Sequence, residues 1–183
     1  MKNILYILLF LSFNLNAEGF DDSGYFELNT GYYNIDSGNG LTVSPLVLTG
    51  TLGANFSENF AGEVFIGGTL VSDSYIATVA NSFYAVTSNV DIRLDNIYGF
   101  YLKPKLEISP DVNVYLKGGL LYGTLNVSAF GTSVWASDSS ISYGAGIQGK
   151  ISDSAYMGLD YNSFYDKDGL SIYGARLFIG TFF

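Results

Sequence analysis

The chain has 183 residues, room for one closed domain, and its charged fraction of 14% sits beside 16% aromatics and 22 glycines, a balance unlike that of a soluble surface. Its formal charge is −9, with no cluster of Lys and Arg to neutralise phosphates, so nucleic acid is excluded as a partner. Cysteine and histidine are both absent. Their absence removes disulfides, thiolate metal sites, the commonest general base and every Ser-His or Cys-His mechanism.

Residues 1–17 carry the three parts of a secretory signal peptide: a positive start at Lys2, an apolar run over 4–13 broken only by Ser12, and small or neutral residues up to Ala17. The apolar run is too short to span a bilayer as a helix, which needs about 20 residues. Cleavage after Ala17 is expected, leaving 18–183 as one domain.

Beyond Ala17 the repeating signal is two-residue alternation, the mark of a strand with two unlike faces. The first segment, from Gly24, sets Phe26, Leu28, Thr30 and Tyr32 against Tyr25, Glu27, Asn29 and Gly31. The second, from Leu46, sets Leu48, Leu52 and Phe56 against Val47, Thr49, Thr51 and Gly53, and the third sets Phe60, Val64 and Ile66 against Ala61, Glu63 and Gly67. In the fourth, Ile92, Leu94, Tyr98, Phe100, Leu102, Leu106 and Ile108 form one face, and Arg93, Asp95, Gly99, Lys103, Lys105 and Glu107 the other. Four more segments follow, carrying Leu116, Ile147, Leu159 and Leu177 on their apolar faces and Lys117, Gly146, Asp160 and Arg176 on their polar ones.

Connections alternate in length. Ser57-Glu58-Asn59, Ser109-Pro110-Asp111 and Ser152-Asp153-Ser154 are tight turns, whereas 34–44, 71–89 and 126–139 are long links and 165–169 a shorter one. Short turns at one end and long loops at the other predict an all-β fold: an eight-stranded antiparallel up-and-down transmembrane β-barrel. The polar faces hold Gly, Ser, Thr and Asn with few charges, too sparse for a water-facing surface, so the apolar faces are expected to meet lipid. Pro104 lies inside the fourth segment and donates nothing to a ladder, so a bulge is expected there.

The run Tyr98-Gly99-Phe100-Tyr101-Leu102-Lys103-Pro104-Lys105, the turn Ser109-Pro110-Asp111 and Tyr115-Leu116-Lys117-Gly118-Gly119 resemble the fourth and fifth strands of small outer-membrane barrels of the OmpA/OmpX type. The pattern covers 24–183. Phe183 is similar to the C-terminal aromatic residue that the barrel-assembly machinery recognises, although Thr181 stands where that family commonly has a large apolar residue. The resemblance implies the outer membrane of a Gram-negative bacterium, periplasmic termini, and lipid, lipopolysaccharide and the assembly machinery as partners. It implies no single activity.

Inside such a barrel the candidate constellation is a charge network of Glu27, Glu63, Lys103, Lys117, Asp160 and Arg176. Closure of the ring is expected to bring Glu27 to Arg176, with Asp160 reaching Arg176 from the other side and Lys103 lying between Lys117 and Glu63. As a functional site it would be a gate or an ion path; as structure it would be a paired interior that compensates buried charge. Tyr25, Phe65, Tyr101, Tyr115, Tyr156 and Phe178 also point inward, while inward glycines such as Gly53, Gly99 and Gly146 leave space for a pore.

No catalytic residue, metal site or cofactor is expected. Asp91 and Asp95 share a face but stand roughly 13 Å apart on a strand, too far to share a proton. Asp166-Lys167-Asp168-Gly169 is a fragment of a calcium loop without its later Glu, and reads instead as a tight hairpin. Specificity then falls to the loops, where Tyr75, Ile76, Phe83, Tyr84, Phe130 and Trp135 are candidate recognition residues for an extracellular surface partner. The expected function is non-enzymatic: envelope structure or adhesion through loops 71–89 and 126–139, by a monomer. The alternative is a narrow porin-like channel for ions or small solutes.

Overall fold

The structure, a computed structural model, describes residues 24–38, 42–80 and 85–183; the expected signal peptide and the candidates Phe83 and Tyr84 lie outside them. Alternation becomes strand throughout: β1 (Gly24–Asp36), β2 (Thr42–Val43), β3 (Leu46–Ser57), β4 (Phe60–Val71), β5 (Asp73–Ala80), β6 (Ala85–Ser109), β7 (Val112–Ala129), β8 (Thr132–Lys150), β9 (Ala155–Lys167) and β10 (Leu170–Phe182). Leaving aside β2, which pairs β1, and β5, which pairs β6, the other eight strands follow one another in antiparallel pairs. The ring closes where β1 meets β10, from Tyr25 opposite Phe182 to Asp36 opposite Ser171. Closure leaves no edge at the depth of the bilayer, where an unpaired backbone group costs several kcal/mol.

Leu28, Val64, Ile66, Leu102, Leu116, Leu159, Leu177 and Ile179 are exposed on the outside of the ring, as lipid requires. Towards the short-turn end this band finishes in Phe26, Phe56, Phe60 and Phe183; towards the long hairpins it finishes in Tyr32, Tyr98, Tyr122, Tyr143 and Tyr161. The phenolic ends suit a headgroup region on the hairpin side, where Tyr98 and Tyr122 stand ring to ring at 5.0 Å.

The inner face is filled by rings laid over glycines. Tyr25 lies opposite Gly53, Phe65 opposite Gly99, Tyr115 opposite Gly146, Tyr156 opposite Gly180 and Phe178 opposite Gly158. A Cβ at Gly53, Gly158 or Gly180 would overlap the ring facing it. These glycines therefore supply room for aromatic side chains rather than for a pore.

Two details of β6 differ from expectation. Asn96 adopts a left-handed backbone, with φ of 49°, and the register against β7 shifts between Asp95 and Tyr98. This β-bulge reverses the phase of the strand beyond it. Ile92 and Leu94 are consequently buried inside, while Arg93 faces out. At Pro104, by contrast, no bulge forms: Leu102 opposite Gly118 and Lys105 opposite Tyr115 share one register, and the ladder merely skips the positions between.

The long links 71–89 and 126–139 are mostly strand, not loop. β6, β7 and β8 run for 25, 18 and 19 residues, well beyond the roughly 9–11 that cross a bilayer. Phe130 and Gly131, with φ of 52° and 74°, turn β7 into β8 in two residues, and Asp168 and Gly169, at 56° and 81°, do the same between β9 and β10. Both are the left-handed pairs that a two-residue hairpin needs, so the calcium-loop fragment is a turn.

The ring-over-glycine packing makes a sharp prediction. Gly53→Val should destabilise the folded barrel by about 1–3 kcal/mol through overpacking against Tyr25. Gly118→Ala, whose added Cβ would meet nothing within 4 Å, should be close to neutral. Urea unfolding of the two variants in lipid vesicles checks the contrast.

Candidate functional site

The alternation that faces apolar residues outward carries every member of the predicted charge network inward. Glu27, Glu63, Lys103, Lys117, Asp160 and Arg176 are all at most 5% exposed. They divide into two linked groups. Lys103 Nζ lies 3.1 Å from Glu27 and 2.8 Å from Glu63, so one ammonium answers two carboxylates. Tyr25 donates its hydroxyl to Glu63 at 2.7 Å and Tyr156 donates to Glu27 at 3.0 Å. Lys103 also stands 4.2 Å above the centre of the Tyr115 ring.

In the second group Asp160 answers two cations. Arg176 grips it with Nε at 2.8 Å and a terminal nitrogen at 2.6 Å, the paired geometry that guanidinium favours. Lys117 donates to the same carboxylate, Asn162 adds a bond at 2.6 Å, and Arg176 also donates to the Thr49 hydroxyl at 3.3 Å. Three acids and three bases thus leave this buried network neutral.

Glu27 and Arg176 do not form the pair expected from ring closure. The register sets Glu27 against Gly180 and Arg176 against Gly31, four residues apart along β10. The acid at each level turns instead to the cation at its own height.

Rings and aliphatic side chains seal both sides of these groups. Tyr25, Tyr115, Tyr156 and Phe178 form a floor at the short-turn end, closed further by Phe182 at 4.6 Å from Tyr156. Above the charges, Tyr33 stacks on Phe164 at 4.3 Å and Phe65 on Tyr101 at 4.9 Å. Ile35, Val47, Val90, Ile92, Leu94, Ile97, Leu121 and Ile172 then fill the hairpin end. The aromatic stack lay beyond period-two reasoning, because only the folded ring brings Tyr33 of β1 against Phe164 of β9.

The hairpin arms hold the remaining candidates. Beyond the bilayer band β5, β6, β7 and β8 continue as a four-stranded sheet. Its outer face carries Ile76, Arg93 and Trp135; Ile76 is 71% and Trp135 63% exposed. Cross-strand pairing aligns Arg93 with Asn126 and Asn126 with Trp135. Tyr75 belongs to the opposite face and packs on the interior apolar cluster, so it is separated from its neighbour Ile76. Phe130 stands half-exposed at the hairpin tip, its amide donating to the Ser88 hydroxyl at 3.1 Å.

One cross-strand bridge escaped the sequence. Asp138 of β8 accepts from Lys167 Nζ at 3.0 Å and from the Tyr165 hydroxyl at 2.9 Å, both on β9. The Lys167 ammonium, with the Ser139 amide and Tyr165 hydroxyl, holds the Asp138 carboxyl below its ordinary value, while Lys167 itself is held above its own. Asp138 reads in sequence only as a scattered loop acid, since nothing local marks a partner 29 residues away.

A closed antiparallel ring, apolar without and holding paired charges within, defines a transmembrane β-barrel. The chain belongs to the outer membrane protein beta-barrel domain family, whose model matches residues 4–177. Among solved structures it is similar to Ail, the attachment invasion locus protein of Yersinia pestis, at 16% identity over 90% of this chain and 100% of that one, with a TM-score of 0.63. It is also similar to Neisserial surface protein A, at 14% identity over 87% and 97% with a TM-score of 0.64. The N-terminal β-barrel domain of Pseudomonas aeruginosa OprF matches at 11% identity over 87% and 97%, with a TM-score of 0.59. No curated protein sequence matches the chain.

Two predictions follow from this geometry. Lys103→Met leaves Glu27 and Glu63 buried without a cation and should cost about 3–5 kcal/mol, whereas adding Glu27→Gln and Glu63→Gln should restore most of the loss; equilibrium unfolding in lipid vesicles measures both. For the exposed bridge, a carboxyl whose pKa is depressed on folding contributes above its unfolded value and loses that contribution as pH falls through the lowered one. Carbon-13 titration of Asp138 should therefore show a midpoint below the ordinary 3.8. Lys167→Met should move that midpoint back up.

Proposed function

We propose that this outer-membrane barrel is non-enzymatic and acts at the cell surface through its two long hairpin arms. The observation that carries the reading is the contrast between a sealed interior and an elaborated hairpin end. Rings and paired charges occupy the barrel, whereas β5–β8 hold Ile76, Phe130 and Trp135 out in water. Phe130 is the most telling of these. A bulky residue in a left-handed turn is strained, and Gly or Asn would serve the turn better. An exposed ring kept at that cost points to contact with something outside the molecule.

The reading places both termini and the short turns in the periplasm, with the tyrosine band in the outer leaflet beside lipopolysaccharide. Phe183 then serves as the assembly signal for the barrel-assembly machinery, and the ring, having no free edge in the bilayer, functions as a monomer. The channel alternative is disfavoured by the same packing, since the inward glycines lie under rings.

Ail has been solved in complex with the heparin analogue sucrose octasulfate. The arms here carry Asp73, Asp91, Asp95 and Asp138 against Arg93, within a chain of formal charge −9. An uncharged or basic partner surface, with a site for Trp135, fits them better than a polyanion.

Adhesion to host cells and survival in serum, measured on bacteria displaying the protein, test the proposal. Trp135→Ala should weaken binding by a hot-spot loss of about 2 kcal/mol or more, and deletion of 74–86 should abolish it. Unchanged adhesion and survival in a deletion variant that still folds and reaches the surface would overturn the reading.

A further inference from the structure

Pairing between β8 and β9 runs from Lys150 opposite Tyr156 only as far as Tyr143 opposite Ser163. β8 continues for another eleven residues, down to Thr132, paired to β7 alone. β9 meanwhile continues to Lys167, paired to β10. The two strands therefore part at the level of the tyrosine band, and a cleft opens between them on the wall of the barrel. Its lower corner is fastened where the Ser142 hydroxyl donates to the Ser163 carbonyl at 2.8 Å. Across its middle it is spanned by the Asp138–Lys167–Tyr165 bridge.

Behind that bridge lies a cavity of about 100 Å³. Leu94, Leu121, Leu125, Phe164, Leu170 and Ile172 contribute to its walls, and Asp138 and Tyr165 also line it. Asp138 is at the same time 46% exposed, so it stands at the mouth. On the outer side of the same cleft a second depression is lined by Ser139, Ile141, Tyr143, Asp166 and Lys167. Ile141 and Tyr143 belong to the lipid-facing surface. A route thus runs from the membrane surface, past one side-chain bridge, into an apolar chamber.

The chemistry of the chamber specifies its occupant. A dry cavity lined by Leu, Ile and Phe and of about 150 Å³ binds benzene or xenon, because water gains too few partners there. A slightly smaller one suits a single small ring or the last few carbons of an alkyl chain. We propose that the cleft between β8 and β9 is a lateral entrance through which a small apolar group, a ring or alkyl end, enters this cavity, with the Asp138–Lys167–Tyr165 bridge as its latch. The group could be carried by a free hydrophobic molecule or by a lipid of the adjoining leaflet; the site itself is the same. The proposal goes beyond surface interaction and does not depend on it, because cavity and cleft exist whatever Trp135 contacts.

Methyl-labelled protein in phospholipid nanodiscs provides the test. Benzene is titrated in, and the Leu94, Leu121, Leu125 and Ile172 methyl resonances are followed, with Leu116 and Leu159 on the lipid-facing surface as controls. The expected result is saturable shifts confined to the cavity methyls, abolished in Ala136→Phe, where the new ring fills the chamber from the part of its wall that Ala136 of β8 forms, while the remaining spectrum is kept. Lys167→Met, which removes one arm of the latch, should speed the exchange of benzene several-fold. In a second arm, nanodiscs carry phospholipid with a spin label at the acyl-chain end. Broadening of the cavity methyls beyond that of Leu159, relieved by benzene, would support the site and identify lipid as its source. Absence of both saturable benzene shifts and selective broadening in the wild-type protein would overturn the proposal, whatever the variants do.

Discussion

Each backbone amide in the bilayer must find its partner on the next strand, and in this chain the pairing of β1 with β10 makes that possible. The twelve-residue seam from Tyr25–Phe182 to Asp36–Ser171 converts a meander with two bare edges into a ring with none. Everything else is a consequence of closing the ring with eight strands. The outside must be apolar over the bilayer thickness, so Leu, Ile and Val occupy one position in two. The inside becomes a narrow cylinder that admits side chains from all eight strands at once.

That narrowness explains why polar and aromatic residues share the interior in layers. An unpaired carboxylate there would be intolerable, so Glu27 and Glu63 converge on Lys103, and Lys117 and Arg176 converge on Asp160. Large rings fit only where the opposing strand offers no side chain, hence Tyr25 over Gly53 and Tyr115 over Gly146. Beyond the bilayer the constraint relaxes, and β8 leaves β9. The interior there is aliphatic like that of a soluble sheet protein, and the cleft and its cavity arise at the boundary between the two regimes.

The period of two was sufficient to read which residues face inward over most of the ring, because lipid enforces it without exception from Phe26 to Leu28 or from Leu177 to Ile179. It failed at Asn96, where one residue with a left-handed backbone reverses the phase and turns Ile92 and Leu94 inside. Nothing in the composition of that stretch announces a bulge. The members of the charge network were legible individually, and so was the pairing of Asp160 with Arg176, but not the partner of Glu27. Whether Glu27 meets Arg176 or Lys103 depends on the stagger of β1 against β10, which pairs Gly31 with Arg176. The 126–139 arm was underestimated because serine-rich stretches such as Ser137-Asp138-Ser139-Ser140 read as loop when only propensity speaks. In the ring they are held as strand by the long partner beside them.

The central claim is that paired charges and glycine-seated rings fill the barrel and leave it closed. Single-channel conductance of the refolded protein in planar bilayers measures this directly. The account predicts silence over a wide range of voltages, with insertion verified by the heat-dependent gel shift of a folded barrel. Stable unitary openings whose conductance changes when Lys103 or Arg176 is neutralised would contradict it and make the interior a conducting path.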